Sequence, residues 1–168
     1  FLWLWTGVVF HIMYFARVNN LASTFGAVFV LQGILFFAAV IRPKVSFRLR
    51  RDIYSVVGIV FIAYAMIGYP LVGYFLGHQY PQAPVFGLTP CPLTVFTFGL
   101  FMLADTKVTK YLLIIPLLWA IAGYVPVSLG VLEDIGMIVA GVVGSVIIFI
   151  RDSKRQVVAT QTGSVSNP

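Results

Sequence analysis

The stretch Gly68–Gly99 reads GYPLVGYFLGHQYPQAPVFGLTPCPLTVFTFG, and its reading decides the fold. Five of the chain's nine prolines lie in it (Pro70, Pro81, Pro84, Pro90 and Pro92). So do the lone cysteine, Cys91, and the second of the two histidines, His78. Proline removes a backbone donor and breaks a helix. On both sides of this segment, however, the chain is apolar over runs of helical length. A Pro-rich segment set between two membrane helices is where polar chemistry is expected to gather.

Composition bounds the class. Of 168 residues, 60% are hydrophobic and 10% charged, whereas a soluble domain carries about 25% charged residues. Several runs approach or exceed the ~18 apolar residues that mark a spanning helix. The expected fold is an all-α integral membrane protein of about six transmembrane helices with a Pro-rich, re-entrant extracytoplasmic loop. The predicted helices lie near residues 1–16, 21–41, 53–77, 92–104, 111–130 and 135–150 of a single domain, 1–151, followed by a polar tail, 152–168.

Each run has its own mark. The first has sixteen residues and rises only about 24 Å, less than a ~30 Å hydrocarbon core, so an upstream continuation is expected. His11 and Tyr14, three apart, are predicted to share a helical face. Gln32 near the middle of the second run needs a partner on another helix. Pro70 predicts a kink in the third. The fourth run is too short to span, and Pro92 suits its first turn. Pro116 and Pro126 bend the fifth, Glu133 and Asp134 form the turn after it, and Gly136, Gly141 and Gly144 give the sixth small faces for packing. The Ser-, Thr-, Gln- and Asn-rich tail reads as disordered.

Charge sets the orientation. With the 42–52 loop inside, alternation puts Arg42, Lys44, Arg48, Arg50, Arg51, Lys107, Lys110, Arg151, Lys154 and Arg155 inside and Arg17 alone outside. That is a strong positive-inside bias. It predicts a bacterial inner membrane protein with the 42–52 loop and the C-terminal tail cytoplasmic. The net charge of +6 is therefore topological. The basic groups flank helix ends without a binding motif, which argues against nucleic acid. The lipid bilayer is the first partner.

The order of residues also resembles a known family. The pattern Trp5-x-Gly-x-x-Phe-His11-x-x-Tyr-Phe, Asn19-x-x-Ala, Gln32-Gly, Gly68-Tyr-Pro-Leu, Gly77-His-x-Tyr-Pro-x-x-Pro-x-Phe-Gly-Leu-x-Pro-Cys-Pro-x-x-x-Phe-Thr97 and Ile115-Pro-Leu-Leu-Trp119 is similar to that of an uncharacterised bacterial multi-pass membrane family, a domain of unknown function. The resemblance covers roughly residues 3–150. It implies a membrane fold, with at least one more helix upstream of Phe1, and implies no activity.

Under the expected topology, polar groups collect on the outer side. His11, Tyr14, Asn19, Asn20, Gln32, His78, Tyr80, Thr89, Cys91, Thr94 and Thr97 are candidates for an outward-facing pocket. His11, His78 and Cys91 carry donor types that suit a metal or haem, but their spacing matches no ligand motif. The N-terminus of the fourth helix, near Leu93–Val95, would attract an anion. The alternative is that Thr94 and Thr97 satisfy their own backbone. No motif sets a base beside Cys91, and GxSxG, HExxH, P-loop and CxxC patterns are absent from the sequence. An enzyme is therefore disfavoured, and no cofactor is specified. The first expectation is a non-catalytic accessory subunit working with other membrane subunits. The second is a protein that binds or transports a small polar or anionic molecule beneath the 78–92 loop. The third is a metal- or haem-binding membrane protein.

Overall fold

The computed structural model of the chain describes residues 1–41, 46–78 and 83–165. Its described residues are helical apart from turns and one isolated bridge, Phe47 to Ala104. Four helices are long and apolar enough to cross a membrane: Ala22–Ile41, Ile53–Phe75, Tyr111–Ser128 and Asp134–Arg155. Two further apolar segments are shorter or irregular. The first is α1 (Leu2–Trp5), which runs on through a π-helical stretch, Thr6–Tyr14, into a 3₁₀ turn, Phe15–Arg17. The second is α5 (Pro90–Leu103). Between them lie α2 (Ala22–Ile41), then α3 (Ile53–Ala63), which is joined to α4 (Tyr69–Phe75) by a π turn, Tyr64–Gly68. After α5 come α6 (Tyr111–Ala122), α7 (Tyr124–Ser128) and α8 (Asp134–Val165).

The short helix α5 is the hub. Ten of the fourteen residues of α5 are buried, and it packs against α1, α3, α6, α8 and the Tyr64–Gly68 turn. Fourteen residues rise about 21 Å, which suffices for a helix enclosed by other helices rather than by lipid. Its sequence meets the cost of buried ends. A helix leaves its first four N–H groups unbonded, and here two of those four residues are Pro90 and Pro92, which have none. The helix thus begins at Pro90, two residues before the expected start, with Pro-Cys-Pro as its first turn.

Close approach to this hub depends on glycine. A Cβ on Gly99 would stand 2.8 Å from the Gly58 carbonyl oxygen, and one on Gly58 would stand 2.9 Å from that of Gly99. The backbones of α3 and α5 therefore meet at that point. The glycines of α8 also face inward: Gly136 lies against the Tyr64 ring, Gly141 against Ala120, and Gly144 against Phe98 and Phe61. They serve packing within the chain rather than contact with another.

Three expectations change here. The π-helical stretch replaces an α-helix, so residues three apart no longer share a face: His11 is fully buried, while Tyr14 is 60% exposed. The polar stretch after Arg155, read as a disordered tail, continues α8 to Val165. The kink expected at Pro70 takes the form of the π turn, Tyr64–Gly68, immediately before it. A π turn relieves the i−4 clash of proline by widening the preceding turn.

Candidate functional site

Polar side chains are buried at both ends of the Asp134–Arg155 span of α8, and the two ends differ in kind. At its start, Glu133 and Asp134 are 0% and 1% exposed. The Tyr69 hydroxyl donates to Asp134 Oδ1, and the Tyr64 hydroxyl donates to the Glu133 carbonyl oxygen at 2.9 Å. His78 Nδ1 lies 2.9 Å from Glu133 Oε1, and the imidazole is about one third exposed. Cys91 is half-buried as a residue, but its thiol is turned inward beside Asp134, Tyr69 and Trp119. Gly73 makes room for the group, since a Cβ there would stand 3.2 Å from Glu133 Oε1. Among the described residues Glu133 Oε2 and Asp134 Oδ2 are buried without a hydrogen-bond partner. Buried carboxylate oxygens are normally satisfied, so this nest is built but incomplete.

The π turn brings the two tyrosines together. Residues five apart lie on different faces of an α-helix but stack in a π turn, whose bonds run from i to i+5. Tyr64 and Tyr69 therefore share a face, with ring centroids 5.4 Å apart in an edge-to-face pair. No periodicity rule based on 3.6 residues per turn would have paired them. The acidic pair also went unselected in the sequence, because an Asp-Glu turn between helices ordinarily faces water. The available signal was that these are the acidic residues remote from the basic loops.

The residues chosen from sequence do not form one pocket. His78 and Cys91 border the nest. His11 lies elsewhere, in an aromatic box with Phe29, Trp119, Phe15, Phe25 and Phe10, its ring 4.7 Å from Phe29 and 5.3 Å from Trp119. Both of its ring nitrogens lack partners among the described residues. Gln32 Nε2 donates to the Leu112 carbonyl at 3.0 Å, so its partner is on another helix, α6. Asn19 accepts from the Leu21 N–H at 2.9 Å, which starts α2. Asn20 and Tyr14 are exposed, with Arg17 over the Tyr14 ring. Thr89 donates to the Val85 carbonyl, Thr94 to that of Pro90 and Thr97 to that of Leu93, and Thr97 also accepts from the Trp3 indole at 2.9 Å. These hydroxyls are turned onto the protein and away from any anion at the α5 N-terminus. Tyr80 lies outside the described residues.

Other expectations can be placed in the same way. Phe86 packs 4.7 Å from Phe96, more than a turn along α5 from Pro90, and a Cβ on Gly87 would reach Leu2 at 4.0 Å. The 83–89 segment therefore lies along α5 and α1. Among the described residues no group of three His, Cys, Asp or Glu side chains could hold a metal ion. His11 is separated from His78 and Cys91 by its aromatic box, so these three donors are not gathered for one.

The fold thus defines a helical protein with four helices fit to cross a membrane and a buried carboxylate nest at one end. The model of a family of unknown function, DUF6064, matches residues 1–159, and the chain belongs to that family. No curated protein and no solved structure matches it.

Proposed function

We propose that this chain is a non-catalytic integral membrane protein that binds a small polar solute in the Glu133–Asp134 nest. One observation carries the reading: two fully buried carboxylates, each with an oxygen lacking a partner among the described residues, lie behind a partly exposed imidazole. Intramembrane carboxylates are costly and normally mark a binding or relay site. The negative charge disfavours the anionic ligand that the α5 N-terminus had invited. In the orientation that goes with this reading, the chain crosses a bacterial inner membrane six times. The 42–52 loop and the C-terminal end are cytoplasmic, and the nest opens to the extracytoplasmic side through His78. The Pro-rich segment before α5 re-enters the bundle there.

A role as an accessory subunit remains the competing proposal. Its sequence support was the glycine faces of the last helix and the short fourth run, and both are occupied within the chain. The test uses dicyclohexylcarbodiimide, which modifies protonated carboxyls within membranes. Peptide mass mapping of treated membranes should find the adduct on Glu133 or Asp134, and Glu133→Gln with Asp134→Asn should remove it. An unmodified nest, together with migration as part of a larger assembly on native gels, would favour the subunit role.

A further inference from the structure

We infer that a cavity between α1, α2 and α5 seats one acyl chain of an anionic phospholipid, with the headgroup phosphate at Lys107. The site shares no residue with the carboxylate nest and stands independently of it. Helical spacing builds its walls. Leu93, Phe96, Thr97, Leu100 and Ala104 fall at i, i+3, i+4, i+7 and i+11 of α5, which is one stripe of an α-helix. Phe36, Ala39 and Val40 make a second stripe near the end of α2, and Trp3 of α1 adds a third wall. The enclosed space is about 360 Å³, within the roughly 300–1,000 Å³ of ligand cavities. From Leu93 to Ala104 the helix rises about 16 Å. That is close to the depth of one leaflet, half of a ~30 Å hydrocarbon core.

Polarity is sorted along the cavity. Toward the Leu93 end the Thr97 hydroxyl is already engaged: it donates to the Leu93 carbonyl at 2.8 Å and accepts from the Trp3 indole at 2.9 Å. That part is left to hydrocarbon contact, which suits an apolar chain and disfavours a polar solute. At the other end Thr106, Lys107 and Thr109 line the mouth. Thr106 Oγ1 is buried without a partner among the described residues, where buried hydroxyls are normally bonded. Lys107 is exposed and belongs to none of the ion pairs among the described residues, which engage Asp105, Glu133 and Asp152. Arg48 adds a second cation at this end, since its N–H donates to the Leu103 carbonyl and Phe47 before it lines the cavity. An ammonium and an open hydroxyl beside an apolar slot complement a phosphate carried on a hydrocarbon chain. Basic groups at a membrane surface attract anionic lipids. Val40 and Phe47 on the cavity wall are exposed and apolar, so a chain can enter from the bilayer.

The experiment places the full chain in phosphatidylcholine nanodiscs with a trace of photoactivatable lipid, either phosphatidylglycerol or phosphatidylcholine. Each probe carries a diazirine near the end of one acyl chain, and peptide mass mapping after illumination locates the adducts. The expected result is an adduct on the Leu93–Leu100 part of α5, a helix otherwise enclosed by its neighbours. Phosphatidylglycerol should label it roughly five-fold more than phosphatidylcholine, the preference that one lysine gives an anionic lipid. Lys107→Gln should bring that ratio toward one and leave labelling by phosphatidylcholine unchanged. Leu100→Trp should fill the space and remove the α5 adduct for both probes, while adducts persist on the exposed Ile114 and Leu118 of α6. Equal wild-type labelling by the two probes would overturn the inference, as would a ratio retained in Lys107→Gln or an α5 that takes no adduct. An unlabelled α5 together with a dimeric mass in the nanodisc would assign the cavity to a second copy of the chain instead. Should Leu100→Trp fail to fold, the wild-type ratio and its loss in Lys107→Gln decide.

Discussion

The two ends of the Asp134–Arg155 span of α8 carry the same kind of residue in opposite states. At the basic end, Asp152 accepts the Val108 N–H with one oxygen and the Arg151 Nε–H with the other, both at 2.8 Å. Arg151 in turn donates to the Phe101 and Met102 carbonyls at 2.9 Å, and Arg155 donates to those of Ala104 and Asp105. Together with the Arg48 N–H on the Leu103 carbonyl, these bonds satisfy the last carbonyls of α5. Such carbonyls are left open by any helix, and cations near a helix C-terminus also oppose its negative dipole end. At the acidic end, Glu133 and Asp134 are just as buried, but among the described residues each keeps an oxygen without a partner and no arginine is paired with either. Burial alone therefore does not distinguish structure from function. Hydrogen bonding separates the two: in the clasp both oxygens of Asp152 are bonded, with Arg151 Nη2 its open atom among the described residues, whereas each acid of the nest keeps one open oxygen.

Substitution can break this contrast, and Arg151→Ala should have the largest effect. It strands the buried Asp152 charge and uncaps α5, at a cost of roughly 3–5 kcal/mol. The loss should read as a much lower unfolding midpoint in nanodiscs. Next is a matched isosteric pair. Asp152→Asn should cost about 1–3 kcal/mol, because it weakens a satisfied charge-assisted network. Asp134→Asn should change stability by less than about 1 kcal/mol, or raise it, because it removes an unbalanced charge. Equal losses from the two would mean that both ends are structural.

Gly99→Ala tests the scaffold that separates the two ends. Its Cβ meets the Gly58 carbonyl oxygen and lies 3.1 Å from the Ile62 nitrogen. That contact should force α3 from α5 at a cost of about 1–3 kcal/mol, and it should lower carbodiimide labelling of the nest as well as stability.

The smallest effect concerns Asp52, which caps α3 by accepting the Ser55 N–H at 2.8 Å. That bond holds its carboxyl below the usual carboxylate range. A depressed pKa means that the cap contributes fully above the unfolded value of about 3.9 and is lost as the pH falls through the folded one. Asp52→Ala should cost about 1 kcal/mol near neutral pH, and the difference from wild type should vanish in acid. A difference that persisted at low pH would assign the effect to packing instead.

Much of this architecture was legible from residue type and order. Apolar length located the four helices long and apolar enough to cross a membrane, out of six expected, and composition alone gave the helical class. Gln32 was expected to bond to another helix and does so, at the Leu112 carbonyl. Pro92 was expected in the first turn of its helix and lies there, with Pro90 before it. The nest was half legible: His78 and Cys91 were singled out, whereas Tyr64, Tyr69, Glu133 and Asp134 were not. The tyrosines were hidden by the π turn, because five-residue spacing has no meaning on an α-helical wheel. The acids were hidden by their place in a short polar turn, a setting that water normally claims.

The sequence by itself determined the helical class of protein, its four helices fit to cross a membrane and the Pro-Cys-Pro start of α5. Each of these follows from local physics: the free energy of apolar side chains in water and the missing donor of proline. Tertiary structure alone decided which polar residues meet. Glu133 is fifty-five positions from His78, and Asp134 is sixty-five from Tyr69. Only the packing of α8 against α3, α4 and α5 closes those distances and excludes the water that would otherwise have satisfied the acids. Whether a carboxylate is a solvated turn residue or a buried donor with an open oxygen depends on its neighbours in space, which no local pattern encodes.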